Sequence, residues 1–127
     1  MRILAIGFLL LLSGCTDKPK TLDVNLEQYE RLARLVATSI DPGIIMNLSE
    51  AEGILRKEMS ELKVYRVRHE QDGSAVLLSG SSNIFTGQFS YIYRLGDSEI
   101  DMAENQTDGI ERKHLHGRWY AEEASFD

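Results

Sequence analysis

Ile84-Phe85-Thr86-Gly87-Gln88-Phe89-Ser90-Tyr91-Ile92-Tyr93-Arg94-Leu95 is the stretch that decides the fold. Phe85, Gly87, Phe89, Tyr91, Tyr93 and Leu95 point one way, while Thr86, Gln88, Ser90 and Arg94 point the other. A period of two is a strand, and one apolar face against one polar face is the habit of antiparallel sheets. The run is the longest and most aromatic of its kind in the chain, so a central place in a sheet is expected for it.

Its neighbours in sequence read the same way. Val64 to His69 and Ser74 to Ser79 are strand-like, and Glu70-Gln71-Asp72-Gly73 between them is a hairpin turn. Gly80-Ser81-Ser82-Asn83 is a loop. Gly96-Asp97 turns into a strand over Ser98 to Glu104, with Ile100 and Met102 on one face. Asn105 to Gly109 is polar loop. Ile110 to Ala121 is expected to close the sheet as one strand, with Leu115 and Trp119 on one face. The tail from Glu122 is expected to fray.

Upstream the period lengthens. Leu22, Leu26, Tyr29, Leu32, Ala33, Val36 and Ile40 recur at helical spacing, with Glu27, Gln28, Glu30, Arg31 and Arg34 on the other face. Asn25 and Gln28 form a capping-box pattern that can delay the start. Asp41-Pro42-Gly43 ends the helix. Asn47-Leu48-Ser49-Glu50 is expected to open a second helix, with Ala51, Ile54, Leu55, Met59 and Leu62 as its apolar stripe. Two helices then about five antiparallel strands imply an α+β domain over residues 22–127, with the helices on the aromatic face of the sheet.

Before this domain stands Met1-Arg2-Ile3-Leu4-Ala5-Ile6-Gly7-Phe8-Leu9-Leu10-Leu11-Leu12-Ser13-Gly14-Cys15. One positive charge, an apolar run and small residues before a cysteine describe a secretory leader over residues 1–14. The run is shorter than the roughly 20 residues a spanning helix needs. Leu12-Ser13-Gly14-Cys15 resembles the lipobox of bacterial lipoproteins. The resemblance implies cleavage before Cys15 and a lipid on its sulfur. Cys15 is the only cysteine, so it has no disulfide partner within the chain, and lipidation accounts for it. Residues 15–21 then form a tether. Thr16 after the cysteine resembles the pattern that sends such proteins to the outer membrane, facing the periplasm.

The net charge of −6 argues against a nucleic-acid partner. His114 and His116 are two apart, which puts both on one face of a straight strand, and Arg118 and Tyr120 continue that face. With Glu99 or Asp101 the histidines could hold zinc, but no third ligand is set by local spacing, and neither a metal nor a cofactor is expected. The favoured role for His114, His116, Arg118 and Tyr120 is a partner-binding face, since Arg and Tyr are common interface anchors. No nucleophile elbow and no phosphate-binding glycine loop is present, so an enzyme is not expected.

In element order, and in Asn47-Leu48-Ser49-Glu50 ahead of Ile54-Leu55, the domain resembles the small outer-membrane lipoprotein that accompanies the β-barrel assembly machine. Asn47 stands where that family has glycine. Ser79-Gly80-Ser81 followed by an aromatic strand and Gly96-Asp97 is similar to the inhibitory loop of membrane-bound lysozyme-inhibitor lipoproteins. That family has cysteines and an all-β barrel, so its inhibitory residues do not carry over. The expected function is a non-enzymatic accessory lipoprotein of the cell envelope that binds an envelope protein. The alternative is an immunity or inhibitor lipoprotein against a cationic toxin or lysozyme, using a loop such as Gly80 to Asn83.

Overall fold

A computed structural model describes residues 19–80, 87–96 and 110–124. The chain forms α1 (Leu26–Ser39), β1 (Ile45–Asn47), a 3-10 turn (Leu48–Glu50), α2 (Gly53–Glu61), β2 (Arg66–His69), β3 (Ala75–Ser79), β4 (Gln88–Arg94), β5 (Ile110–His116) and β6 (Trp119–Ala124). The strands make one antiparallel sheet in the order β1-β2-β3-β4-β6-β5. The class is α+β, as expected, with six strands rather than about five. β1 is an addition, and the closing run is two strands. The expected strand over Ser98 to Glu104 lies outside the described residues, as do the leader, Cys15 and most of the Gly80 to Asn83 loop.

The α1 stripe behaves as its spacing dictates. Tyr29, Leu32, Ala33, Val36 and Ile40 are buried in the main core, and Leu22 joins them from the preceding turn. The helix starts at Leu26, and Asn25 makes no side-chain cap. Its amide instead donates to the Thr21 carbonyl at 2.8 Å, closing the turn ahead of the helix.

Asn47 to Glu50 does not open the second α-helix. Glu50 accepts the Asn47 backbone N–H at 3.1 Å, but the turn is 3-10 and Ala51 returns to extended backbone. The α-helix begins at Gly53, which leaves Ala51 outside it. Leu55, Met59 and Leu62 are buried, while Ile54 is 63% exposed. Glu58 takes a place on the buried face and is satisfied by Arg31 of α1, with Nε and Nη2 on the two carboxylate oxygens at 3.1 and 3.4 Å. The helix ends in a Schellman arrangement: Val64 N–H donates to the Met59 carbonyl at 2.9 Å and Lys63 N–H to Ser60 at 3.2 Å. Lys63 occupies the left-handed region, at φ 57°.

β4 is interior, and its aromatic face meets the helices. Tyr29 makes edge-on contacts with Tyr91 (centroids 5.2 Å apart) and Trp119 (6.0 Å), and Tyr93 packs against Trp119 at 4.7 Å. Val67, Val76 and Leu78 from β2 and β3 complete this layer. The opposite face is not the wet surface the alternation predicts. Ala75, Leu77, Ile92 and Tyr120 form a second buried apolar cluster there. Next to it runs a row of paired polar groups. Arg66 Nε donates to Asn47 Oδ1 at 3.0 Å, Ser79 and Ser90 share a hydrogen bond of 2.7 Å, and Arg112 pairs with Glu122 at 2.7 Å.

His69 pins the link between α1 and the sheet. It is buried, and its Nδ1–H donates to the Ile40 carbonyl at 2.6 Å. Its own carbonyl accepts from Gly43 N–H, and its N–H donates to Ile44. The Asp41-Pro42-Gly43 stop is thereby fixed against β2.

Candidate functional site

The run from Ile110 to Ala121 is a hairpin. Gly117 and Arg118 form its two-residue turn, and Gly117 has φ 55°. A positive φ at the first turn residue matches the right-handed twist of the flanking strands, and glycine adopts it without penalty. The sequence pattern hides this turn because apolar residues stand at the same spacing across it. Leu115 and Trp119 do share the helix-facing side, as expected, but they lie on different strands.

A bulge then separates the two histidines. His114 is opposite Tyr120 and His116 is opposite Trp119, so β5 spends one residue more than β6 between those pairs. His114 lies on the face away from the helices, packed on the Tyr120 ring at 4.8 Å, with Nε2–H donating to the Gly117 carbonyl at 2.9 Å. His116 lies on the helix side and donates from Nε2 to Asp23 Oδ1 at 3.2 Å. Arg118 is in the turn, where Nη1 donates to the carbonyls of Arg94 and Gly96 at 3.2 and 2.9 Å. Tyr120 is buried in the second apolar cluster. His114, His116, Arg118 and Tyr120 therefore do not form one surface. Straight-strand spacing could not anticipate the turn or the bulge.

The structure assembles a different concavity. Five gaps of about 4.8 Å make the sheet roughly 24 Å wide, and two helices cover only about 20 Å. α1 packs mainly on β2 and β3. The helix side of β6 and β5 is left as a cleft of about 500 Å³, a size typical of ligand sites.

One wall of the cleft is the strap that leads into α1. Pro19 is buried. Lys20 N–H donates to the Leu62 carbonyl at 2.9 Å, and Tyr29 Oη–H donates to the Lys20 carbonyl. Leu22 N–H donates to Tyr91 Oη at 3.3 Å, and Asp23 takes the bond from His116. The last residues of the expected tether therefore belong to the fold. Burial pushes the phenols of Tyr29 and Tyr91 above the ordinary tyrosine range.

The floor is apolar, from Phe89, Tyr91, Leu115 and Ala121, with Phe89 and Tyr91 edge to face at 4.9 Å. The rim carries Asp23, Glu111 and Glu123 against Lys113 and His116, and His114 also borders the cleft. The register places Phe89, Glu123 and Glu111 in one row across β4, β6 and β5, and Tyr91, Ala121 and Lys113 in the next. No group of three or more His, Cys, Asp or Glu is placed to hold a metal ion among the described residues, and none of their helices is long and apolar enough to cross a membrane. Sequence reasoning missed this cleft because its residues come from four separate segments. The signal it held was the alternation of Glu111, Lys113 and Leu115 on one side of β5.

Comparison with known proteins finds no matching family model, no matching curated protein and no matching solved structure.

Proposed function

We propose that this chain is a lipid-anchored, non-enzymatic binding module of a bacterial cell envelope. Cys15 holds it to the membrane, with the outer membrane facing the periplasm as the site, and the β5–β6 cleft docks an envelope protein. The observation that carries the reading is the position of the strap. Between Cys15 and the buried Pro19 lie only three residues, so four steps of chain span at most about 14 Å. Thr21 to Asp23, a few residues on, are the cleft wall. An anchor at Cys15 therefore keeps the cleft close to the bilayer surface, where a membrane-embedded or membrane-attached partner is met at high local concentration. The leader and the Leu12-Ser13-Gly14-Cys15 motif support the anchor, and an apolar floor with a charged rim supports protein binding.

A second reading, an immunity or inhibitor lipoprotein against a cationic toxin or lysozyme, is favoured by the three carboxylates on the rim. The identity of the partner separates the two. The test has two parts. Cys15→Ser should abolish labelling by radioactive palmitate, and equal labelling of both proteins refutes the anchor. A photo-cross-linking residue at Lys113 should capture a discrete envelope protein in cells, while one at the exposed Arg34 on α1 should not. Identical capture from both positions refutes the cleft as the docking surface.

A further inference from the structure

We infer that a second cavity, at the end of the sheet where β2 and β4 begin, binds a phosphate group. It is separate from the β5–β6 cleft, and the two readings stand or fall independently. The cavity has a volume of about 520 Å³ and lies between the 3-10 turn, α2 and the starts of β2 and β4, with Ser49, Arg56, Tyr65, Arg66 and Gln88 on its walls. Its first support is charge. The chain has 20 Asp and Glu against 14 Lys and Arg, yet among the described residues the walls carry two guanidinium groups and no carboxylate. Its second support is that these cations are available. The ion pairs among the described residues engage Arg31, Arg68, Arg112 and His116, and neither Arg56 nor Arg66. Glu52 stands one turn before Arg56 and accepts its backbone N–H at 3.4 Å, but makes no ion pair with it. Arg66 uses Nε on Asn47 Oδ1 at 3.0 Å, which fixes the plane of the group and leaves its terminal nitrogens to a ligand. Glu50, next to Ser49, is held by the Asn47 N–H at 3.1 Å. Its third support is the donor set. Two planar guanidinium forks match phosphate oxygens, and the Ser49 and Tyr65 hydroxyls and the Gln88 amide add neutral donors from other segments. Donors arriving from the 3-10 turn, α2, β2 and β4 suit a tetrahedral group better than a planar carboxylate. Its fourth support is position. The strap is bound at Lys20 to the Leu62 carbonyl, and Tyr65 is three residues on from Leu62. Gln88 adjoins Phe89 of the cleft floor. The cavity therefore opens at the strap end of the domain, which the anchor proposed at Cys15 brings to the headgroup layer. A lipid headgroup and a soluble phosphate present the same chemistry there.

The experiment uses the full chain, labelled with nitrogen-15, in maltoside micelles, whose headgroups carry no phosphate. At constant ionic strength it is titrated with inorganic phosphate and, separately, with phosphatidylglycerol mixed into the micelles. The amide signals of Gly80 and Gln88, on the cavity wall, should shift and saturate. Saturation by the lipid at a concentration at least tenfold lower than inorganic phosphate assigns a headgroup as the source. Saturation by inorganic phosphate at an equal or lower concentration assigns a soluble phosphate. Arg56→Gln with Arg66→Gln should weaken binding at least tenfold. Arg56→Gln alone should weaken it about threefold, and keeps the test open if loss of the Arg66–Asn47 bond disturbs the fold. Arg34→Gln makes the same charge change on the exposed side of α1 and should have little effect. The absence of a saturating shift with either ligand, an equal response to chloride or acetate, unchanged affinity in the Arg56 and Arg66 variants, or an equal loss in Arg34→Gln overturns the inference.

Discussion

Tyr29→Phe removes one oxygen from the middle of the core and tests how the strap is held. The phenol is fully buried, and its O–H donates to the Lys20 carbonyl across the start of the strap. The phenylalanine ring keeps the edge-on contacts with Tyr91 and Trp119, so the loss at neutral pH is that of one hydrogen bond, about 1 kcal/mol. The pH dependence is the sharper consequence. Burial, reinforced by the neighbouring Tyr91, holds the Tyr29 phenol above its ordinary value of 10.0. The unfolded chain therefore releases this proton first as pH rises. Stability from the shift is fully present below pH 10 and is lost as pH climbs above it. The slope for one proton is about 1.4 kcal/mol per pH unit. At pH 11.5 the native protein should have lost about 2 kcal/mol that the variant, lacking the group, keeps. The two stability curves should therefore cross near pH 11, with the variant weaker below and stronger above. Urea titrations from pH 7.5 to 11.5, followed by the fluorescence of Trp119, the only tryptophan, measure both quantities. Parallel curves across the whole range would refute the claim that this phenol is buried and clamps the strap.

Three further substitutions probe the frame around the cleft. Trp119→Ala should cost about 3–5 kcal/mol, because the indole is 2% exposed and packs between Tyr29 and Tyr93; a melting midpoint that does not move contradicts that placement. Lys63→Gly should raise the urea midpoint by the equivalent of about 0.5–1 kcal/mol, since it relieves a left-handed backbone at the end of α2. A lower midpoint shows that the Lys63 side chain makes a contact worth more than the strain. Gly117→Ala should cost about 1 kcal/mol through backbone strain alone, as a methyl group there meets no atom within 4 Å. Hydrogen exchange should localise that loss to β5 and β6, and uniform loss of protection would argue against a local turn effect.

The stretch around Ile84 to Leu95 was legible because a strand with one buried face must alternate, and the described part, Gln88–Arg94, is an interior strand with Phe89, Tyr91 and Tyr93 toward the helices. The α1 stripe was legible for the same kind of reason at a period of 3.6. Ile54 was misread because it lies about 100° around the helix from Leu55 and about 140° from Met59, at the edge of the stripe, while Glu58, paired with Arg31, takes a buried position. β1 carries only three residues, too few for any period to show.

Local pattern thus determined the class, the two helices and the aromatic face of the sheet, since each is written in neighbours along the chain. Three-dimensional packing decided the rest. The Gly117 turn and the bulge beside it are invisible to spacing, because an added residue reverses which face every later side chain occupies. They sent His114 and His116 to opposite sides of the sheet. The cleft follows from a mismatch of widths, six strands under two helices, and from a strap clamped by two buried phenols. Nothing in any single segment encodes such a mismatch, because it exists only once the layers are stacked.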